Sequence, residues 1–152
     1  MNLDLAIPLI KAAQDVIGTM ASIECRAGTP YIKKGQVAKG DVTGLVGVTG
    51  DKTGSLSISF DKKCAIAIVR AMLGSEIEDI LRDVKDAVGE ITNMVSGQSR
   101  ATMARNGLTL QSGTPMVVMG DRHVIQHVTN APIMAIPFTT PDGEFTIEFC
   151  VE

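Results

Sequence analysis

Apolar residues recur at three- and four-residue intervals near the start of the chain (Leu5, Leu9, Ala12, Ala13, Val16, Ile17, Met20), which predicts a helix over roughly 4–21. Pro8 is expected in the first turn of that helix, where a missing N–H costs little. The period then changes. "DVTGLVGVTG" and "GSLSISFD" are rich in strand formers, and the second sets Leu56, Ile58 and Phe60 against Ser55, Ser57 and Ser59, the pattern of a half-buried strand. "TGDKTG" between them predicts a hairpin turn. A second helix is expected from an Asp61 N-cap through "KKCAIAIVRAML" to a stop at "LGS", and Ser75 with Glu78 forms a capping-box pattern for the next segment. A longer helical region covers roughly 76–105, with a break near Asp79, and ends at Asn106-Gly107. Beyond it "LTLQSGTPMVVMG", "HVIQHVT", "APIMAIPFTT" and "EFTIEFCVE" read as strands, with "TPDGEF" as the turn between the last two.

Helix, two strands, two helices and several strands make an α+β arrangement, a largely antiparallel sheet with helices packed on it. The length of 152 residues suits a single domain, 1–152. In the last strand Phe145, Ile147, Phe149 and Val151 alternate with Glu144, Thr146, Glu148 and Cys150, so its apolar face needs a helix layer or a subunit partner.

Composition narrows the function. A net charge of −3, one Tyr and no Trp provide neither a basic field for a phosphate backbone nor stacking platforms, which argues against nucleic acid as a partner. The start of the chain has no basic segment before its apolar residues and no stretch long enough to span a bilayer, so neither a secretory signal nor a membrane span is expected and the location is read as cytoplasmic. Cys25, Cys64 and Cys150 are odd in number and in no C-x-x-C pair, as small buried hydrophobes would be.

The stretch "GEITNMVSG" carries the candidate chemistry. At about 100° per residue, Ile80, Leu81, Val84, Ala87, Val88, Ile91, Val95 and Thr102 fall on one stripe, the expected core face. Opposite it lie Arg82, Asp83, Asp86, Gly89, Glu90, Asn93, Gly97 and Arg100. In a helix interior Gly costs about 1 kcal/mol relative to Ala, and Asn up to about 0.7. Solubility alone does not ask for these residues, so local preference is overruled at Gly89, Asn93 and Gly97, four residues apart beside Glu90. Such a strip lets another surface come close, with an amide to orient water and a carboxylate to meet a cation. Small-residue strips also serve ordinary helix packing, and spacing alone does not separate the two readings.

The run "DAVGEITNMVSGQSRATM" resembles the active-site helix of the CheC/CheX/FliY chemotaxis phosphatases, whose motif E-x-x-N stands here as Glu90-Ile91-Thr92-Asn93. The first helix, the "GVTGDKTGSLSISF" hairpin followed by "AIAIVRAMLG", and the strand-rich second half follow the CheX type in order and spacing. The resemblance implies hydrolysis of the acyl-phosphate on a phosphorylated CheY-type response regulator. Asn93 would orient the attacking water, Glu90 would pair with the receiver's active-site lysine, and Asp86, Gly89 and Gly97 would lie in the docking surface. The chain would need no cofactor of its own, the Mg²⁺ being the receiver's. The first helix offers only Asp15-Val16-Ile17-Gly18 where CheC-type relatives carry a second motif, so one site per subunit is expected. Homodimerisation is implied by the same resemblance.

Two other readings stand beside it. His123 and His127, four apart near Asp121, lack the Glu of H-E-x-x-H and lie in strand-like sequence, so they are expected as solvent-facing strand residues and no metal site is expected. A non-catalytic module that binds receivers, resembling the middle domain of flagellar switch proteins, is the alternative to the enzyme; retention of both Glu90 and Asn93 favours catalysis.

Overall fold

The structure is a computed structural model and describes residues 3–152. Three helices, α1 (Leu3–Ala21), α2 (Lys62–Leu73) and α3 (Ile80–Arg105), accompany eight strands: β1 (Arg26–Ala27), β2 (Tyr31–Lys33), β3 (Val42–Gly50), β4 (Gly54–Phe60), β5 (Leu110–Ser112), β6 (Met116–Met119), β7 (Ile133–Thr140) and β8 (Gly143–Val151). The sheet runs β1-β7-β8-β4-β3-β5, with β2 also on β7 and β6 also on β3, and every pairing is antiparallel. The expected α+β architecture is the observed one.

Cross-strand register gathers the apolar rows on one face. Val42, Phe60, Phe145 and Phe138 align across four strands, and Gly44, Ile58, Ile147 and Ile136 form the next row. Phe138 stacks on Phe145 at 4.6 Å between centroids, and Phe60 lies at 5.3 Å from Phe145. The helices cover this face, with α1 against α3, and α3 running over β3. Phe145, Ile147 and Phe149 are buried there, with α2 packed on β8, so the apolar face of the last strand is covered from within the chain and calls for no partner subunit.

Close approach is set by glycine. A Cβ at Gly44 would collide with the Thr92 side chain, so the bare backbone of β3 is what lets α3 lie down on the sheet. α2 starts as expected: the Asp61 side chain accepts from Cys64 N at 2.7 Å, and its other oxygen accepts from Glu144 N at 2.8 Å, tying the helix to the β7–β8 hairpin.

Several local expectations need correction. Pro8 sits inside α1, in its second turn and not the first. Ser75 does not cap α3; it lies in a short 3₁₀ turn, Gly74–Glu76, and Asp79 is the cap, accepting from Leu81 N and Arg82 N at 3.1 and 3.3 Å. Asp83, placed above on the solvent arc, is only 8% exposed because its carboxylate reaches back to the amides of Glu78 and Asp79. Ile80 and Leu81, placed on the core face, are 39% and 64% exposed. They belong to the first turn of α3, and they line an open groove of about 360 Å³ with Ala65, Ile66 and Met119.

β4 is buried on both faces, not one. The polar row Thr43, Ser59 and Thr146 and the row Ser57 and Glu148 look away from the helices. Two irregular segments close over them, joined by a Val37–Val124 bridge and by the bonds Ala38 N to His123 O and Ile125 N to Gln36 O. "HVIQHVT" is therefore a cover segment and not a strand.

Candidate functional site

α3 presents the candidate residues on its outer surface. Asp86, Glu90 and Asn93 are exposed, and Gly89 and Gly97 are half-buried beside them. The side chains of Glu90 and Asn93, three residues and about 4.5 Å of helix rise apart, make no hydrogen bond or ion pair with any described residue. Their side chains are thus available as they stand.

The surroundings differ on the two flanks. On one, Asp86 and Glu90 join Met72 and Leu73, at the end of α2, around a shallow groove of about 230 Å³. On the other, Gly89 faces β6, where an added Cβ would meet only Val117 Cγ2 at 3.6 Å, an ordinary contact. At Gly97 the nearest atom to such a Cβ is an Arg100 guanidinium nitrogen at 4.0 Å. Neither glycine is demanded by packing within the chain, in contrast to Gly44. What their absence of side chain does is lower the relief around Asn93.

The arrangement brings together a carboxylate, an amide and a low strip. An amide can hold a water by donating and accepting at once, and a carboxylate can only accept, from a cation or an N–H.

The polar network on the opposite face of the sheet was not legible as such in the sequence. His127 Nε2 donates to Glu148 Oε1 at 3.0 Å, and in the neutral ring Nδ1 accepts from Ser55 Oγ at 2.6 Å. Lys33 Nζ donates to Glu148 Oε2 at 2.8 Å, with both side chains essentially out of water. His123 Nδ1 donates to the Gly120 carbonyl at 2.7 Å, and Nε2 bonds Thr43 Oγ1, itself 2.7 Å from Ser59 Oγ. The histidines are therefore clasps holding the cover segment to the serine face, not solvent-facing strand residues. Ser55, His127 and Glu148 have the connectivity of a nucleophile, base and orienting acid. Ser55 is fully buried and its oxygen already accepts from Val128 N at 3.2 Å, so no substrate reaches it. The signal available beforehand was the run of three alternating serines opposite a segment with two histidines.

Burial raises the tendency of Glu148 to hold a proton, but the hydrogen bonds from His127 and Lys33 outweigh it and hold the carboxyl below its ordinary value of 4.5. Burial pushes the Cys64 thiol up to about 12, and all three cysteines are free and buried, as inert core residues.

The fold defines the class. It is shared with the CheX of the CheX–CheY–BeF₃–Mg²⁺ complex from Borrelia burgdorferi, at a TM-score of 0.81 with 23% identity, covering 99% of each chain. It is also that of the chemotaxis protein CheX from Desulfovibrio desulfuricans, at a TM-score of 0.93 with 56% identity, covering 98% of this chain and 99% of that one. This chain belongs to the CheX family: the family model described as chemotaxis phosphatase CheX matches residues 42–139, a span that contains α3 entire. A relative from Thermotoga maritima named CheY-P phosphatase CheX is 27% identical over 121 residues, covering 79% of this chain and 78% of the relative.

Proposed function

We propose that this chain is a phosphatase of phosphorylated CheY-type response regulators, hydrolysing the acyl-phosphate on the receiver's aspartate. Asn93 orients the attacking water in line with the phosphoryl group, Glu90 pairs with the receiver's active-site lysine, and Asp86, Gly89 and Gly97 belong to the docking surface. Family membership supports the activity. The observation that carries the residue roles is that Glu90 and Asn93 emerge side by side on an exposed face, unpartnered among the described residues, between glycines the chain's own packing does not require.

An aspartyl-phosphate is labile, and the receiver brings the Mg²⁺ that neutralises its charge. Positioning of water and electrostatic complementarity are what remain to be supplied. The Mg²⁺ of the Borrelia burgdorferi complex named above is consistent with a metal held by the receiver. The same reading takes residues 1–152 as one CheX-like domain around one contiguous core, working in the cytoplasm as a homodimer. Homodimerisation rests on family likeness alone, since β8 no longer argues for it. No described helix is long and apolar enough to cross a membrane.

The test is phosphate release from a phosphorylated CheY-type receiver with and without this chain. Acceleration over receiver self-hydrolysis is expected, with Glu90→Ala raising KM as docking weakens. A wild-type chain that gives no acceleration refutes the reading.

A further inference from the structure

Arg100 stands on the same face of α3 as Asn93, seven residues on. At 3.6 residues per turn that is about 20° away around the helix and about 10 Å along it. Between them Gly97 has no side chain and Ser96 is buried, so no side chain of the helix rises between the amide and the guanidinium. The guanidinium is held in place: Nε donates to Ser96 Oγ at 3.2 Å, and an Nη donates to the Leu110 carbonyl of β5 at 3.5 Å. These partners are neutral. No carboxylate of the described residues lies within ion-pair distance of Arg100, and the side chain is only half-buried. The chain therefore fixes a cation beside its exposed amide without neutralising it, although its formal charge is −3.

We infer that Arg100 is a docking residue for the receiver, its guanidinium meeting an acidic group on the rim of the receiver's phosphorylation site. This rests on the phosphatase reading in taking the Glu90–Asn93 strip as the receiver-facing surface. The chemistry of the partner supplies the complement. A site that holds Mg²⁺ beside an aspartyl-phosphate is built from carboxylates, and the phosphoryl group adds negative charge. With Asn93 at the phosphoryl group, a guanidinium folded back over Ser96 and Gly97, about one turn of helix from the amide, lies over the rim of the receiver's site.

Arg suits this role better than Lys, since its planar fork can stay bonded to Ser96 and Leu110 while presenting further N–H groups outward. The strip then has a polarity. Asp86 and Glu90 stand at the end near α2 and Arg100 at the end near β5, on either side of Asn93. Like charges meet when a receiver docks reversed along the helix, so the polarity selects one sense of docking.

The experiment measures binding of a CheY-type receiver from the same organism, activated with beryllofluoride and Mg²⁺, to wild type, R100K, R100Q and R100E at low and high salt. Turnover of the phosphorylated receiver and thermal unfolding are followed in parallel. R100E is expected to raise Kd about tenfold and R100Q about threefold, with R100K within about twofold of wild type and kcat little changed, because a rim charge acts on encounter and affinity. The salt dependence of Kd should flatten in R100Q and reverse in R100E. A purely structural strap between α3 and β5 predicts instead a lower melting temperature in R100Q with Kd and its salt dependence unchanged, and that result overturns the inference. If R100E fails to fold, R100Q decides by the same criteria. A chain that binds with this Arg100 dependence but releases no phosphate refutes the phosphatase reading and leaves the docking role standing. A wild-type chain that does not bind the activated receiver refutes both.

Discussion

Lys33 Nζ and Glu148 Oε2 meet at 2.8 Å beneath the serine face of the sheet, with side-chain exposures of 3% and 0%. The pair lies on the side of the sheet away from α3 and makes the bottom of the clasp that includes His127 and Ser55. Removing one member of a buried pair strands the other, at a cost of about 3–5 kcal/mol. Glu148→Gln should therefore be strongly destabilising in urea unfolding. Adding Lys33→Met should recover part of the loss, since Gln can still accept from His127 and no charge is left buried. Equal instability of the single and double variants contradicts this account of the clasp.

The same pair dictates an acid limb of stability. Desolvation raises the Glu148 pKa, the bonds from His127 and Lys33 lower it by more, and the carboxyl sits below its ordinary 4.5; Tyr31 also faces it. A folded-state pKa below the unfolded one means that the stabilisation is fully present above about pH 4.5 and is lost as pH falls through the folded value. Urea midpoints measured as a function of pH should fall below that point for wild type, and Glu148→Gln should show a shallower fall.

Contact between α3 and the sheet rests on the lack of a side chain at Gly44, where a Cβ would overlap Thr92. Gly44→Ala is expected to cost about 1–3 kcal/mol by overpacking. Thr92→Ala should relieve it, giving a coupling of about 1 kcal/mol in a double-mutant cycle by chemical denaturation. Strictly additive effects would contradict this reading of the contact.

Much of the architecture was legible in the sequence because long periodic elements declare themselves. α1, α2, β3, β4, β7 and β8 fall where period and caps put them. What was not legible depended on contacts between distant segments. Alternation in β4 shows two chemically different faces, but it does not show that residues near 37 and 124 fold over the polar one. Hydrophobicity at Ile80 and Leu81 says core, while in the structure they line an open groove between α2, α3 and the sheet. Asp83 and Asp86 look alike as letters, yet one closes a helix cap and the other stays exposed. The exposure of Glu90 and Asn93 side by side was legible because both lie on one helix face, where local spacing is sufficient to place them.

Gly89 and Gly97 separate stability from docking. Both positions have room for a methyl group, so Gly89→Ala and Gly97→Ala should each stabilise α3 by about 0.5–1 kcal/mol. If the strip is the receiver's seat, the same substitutions should raise KM for the phosphorylated receiver. Raised melting temperature together with lowered kcat/KM is the expected pair of results; raised stability with undiminished activity would remove the glycines from the docking surface.

The most direct test of the central claim is the rate of phosphate release from a phosphorylated CheY-type receiver in the presence of Asn93→Ala. The side chain is exposed and bonded to nothing among the described residues, and Ala is the better helix former by up to about 0.7 kcal/mol, so the variant should fold as well as wild type. The account predicts acceleration by wild type and a rate at the level of receiver self-hydrolysis with the variant. Wild-type turnover by a folded Asn93→Ala protein would contradict it.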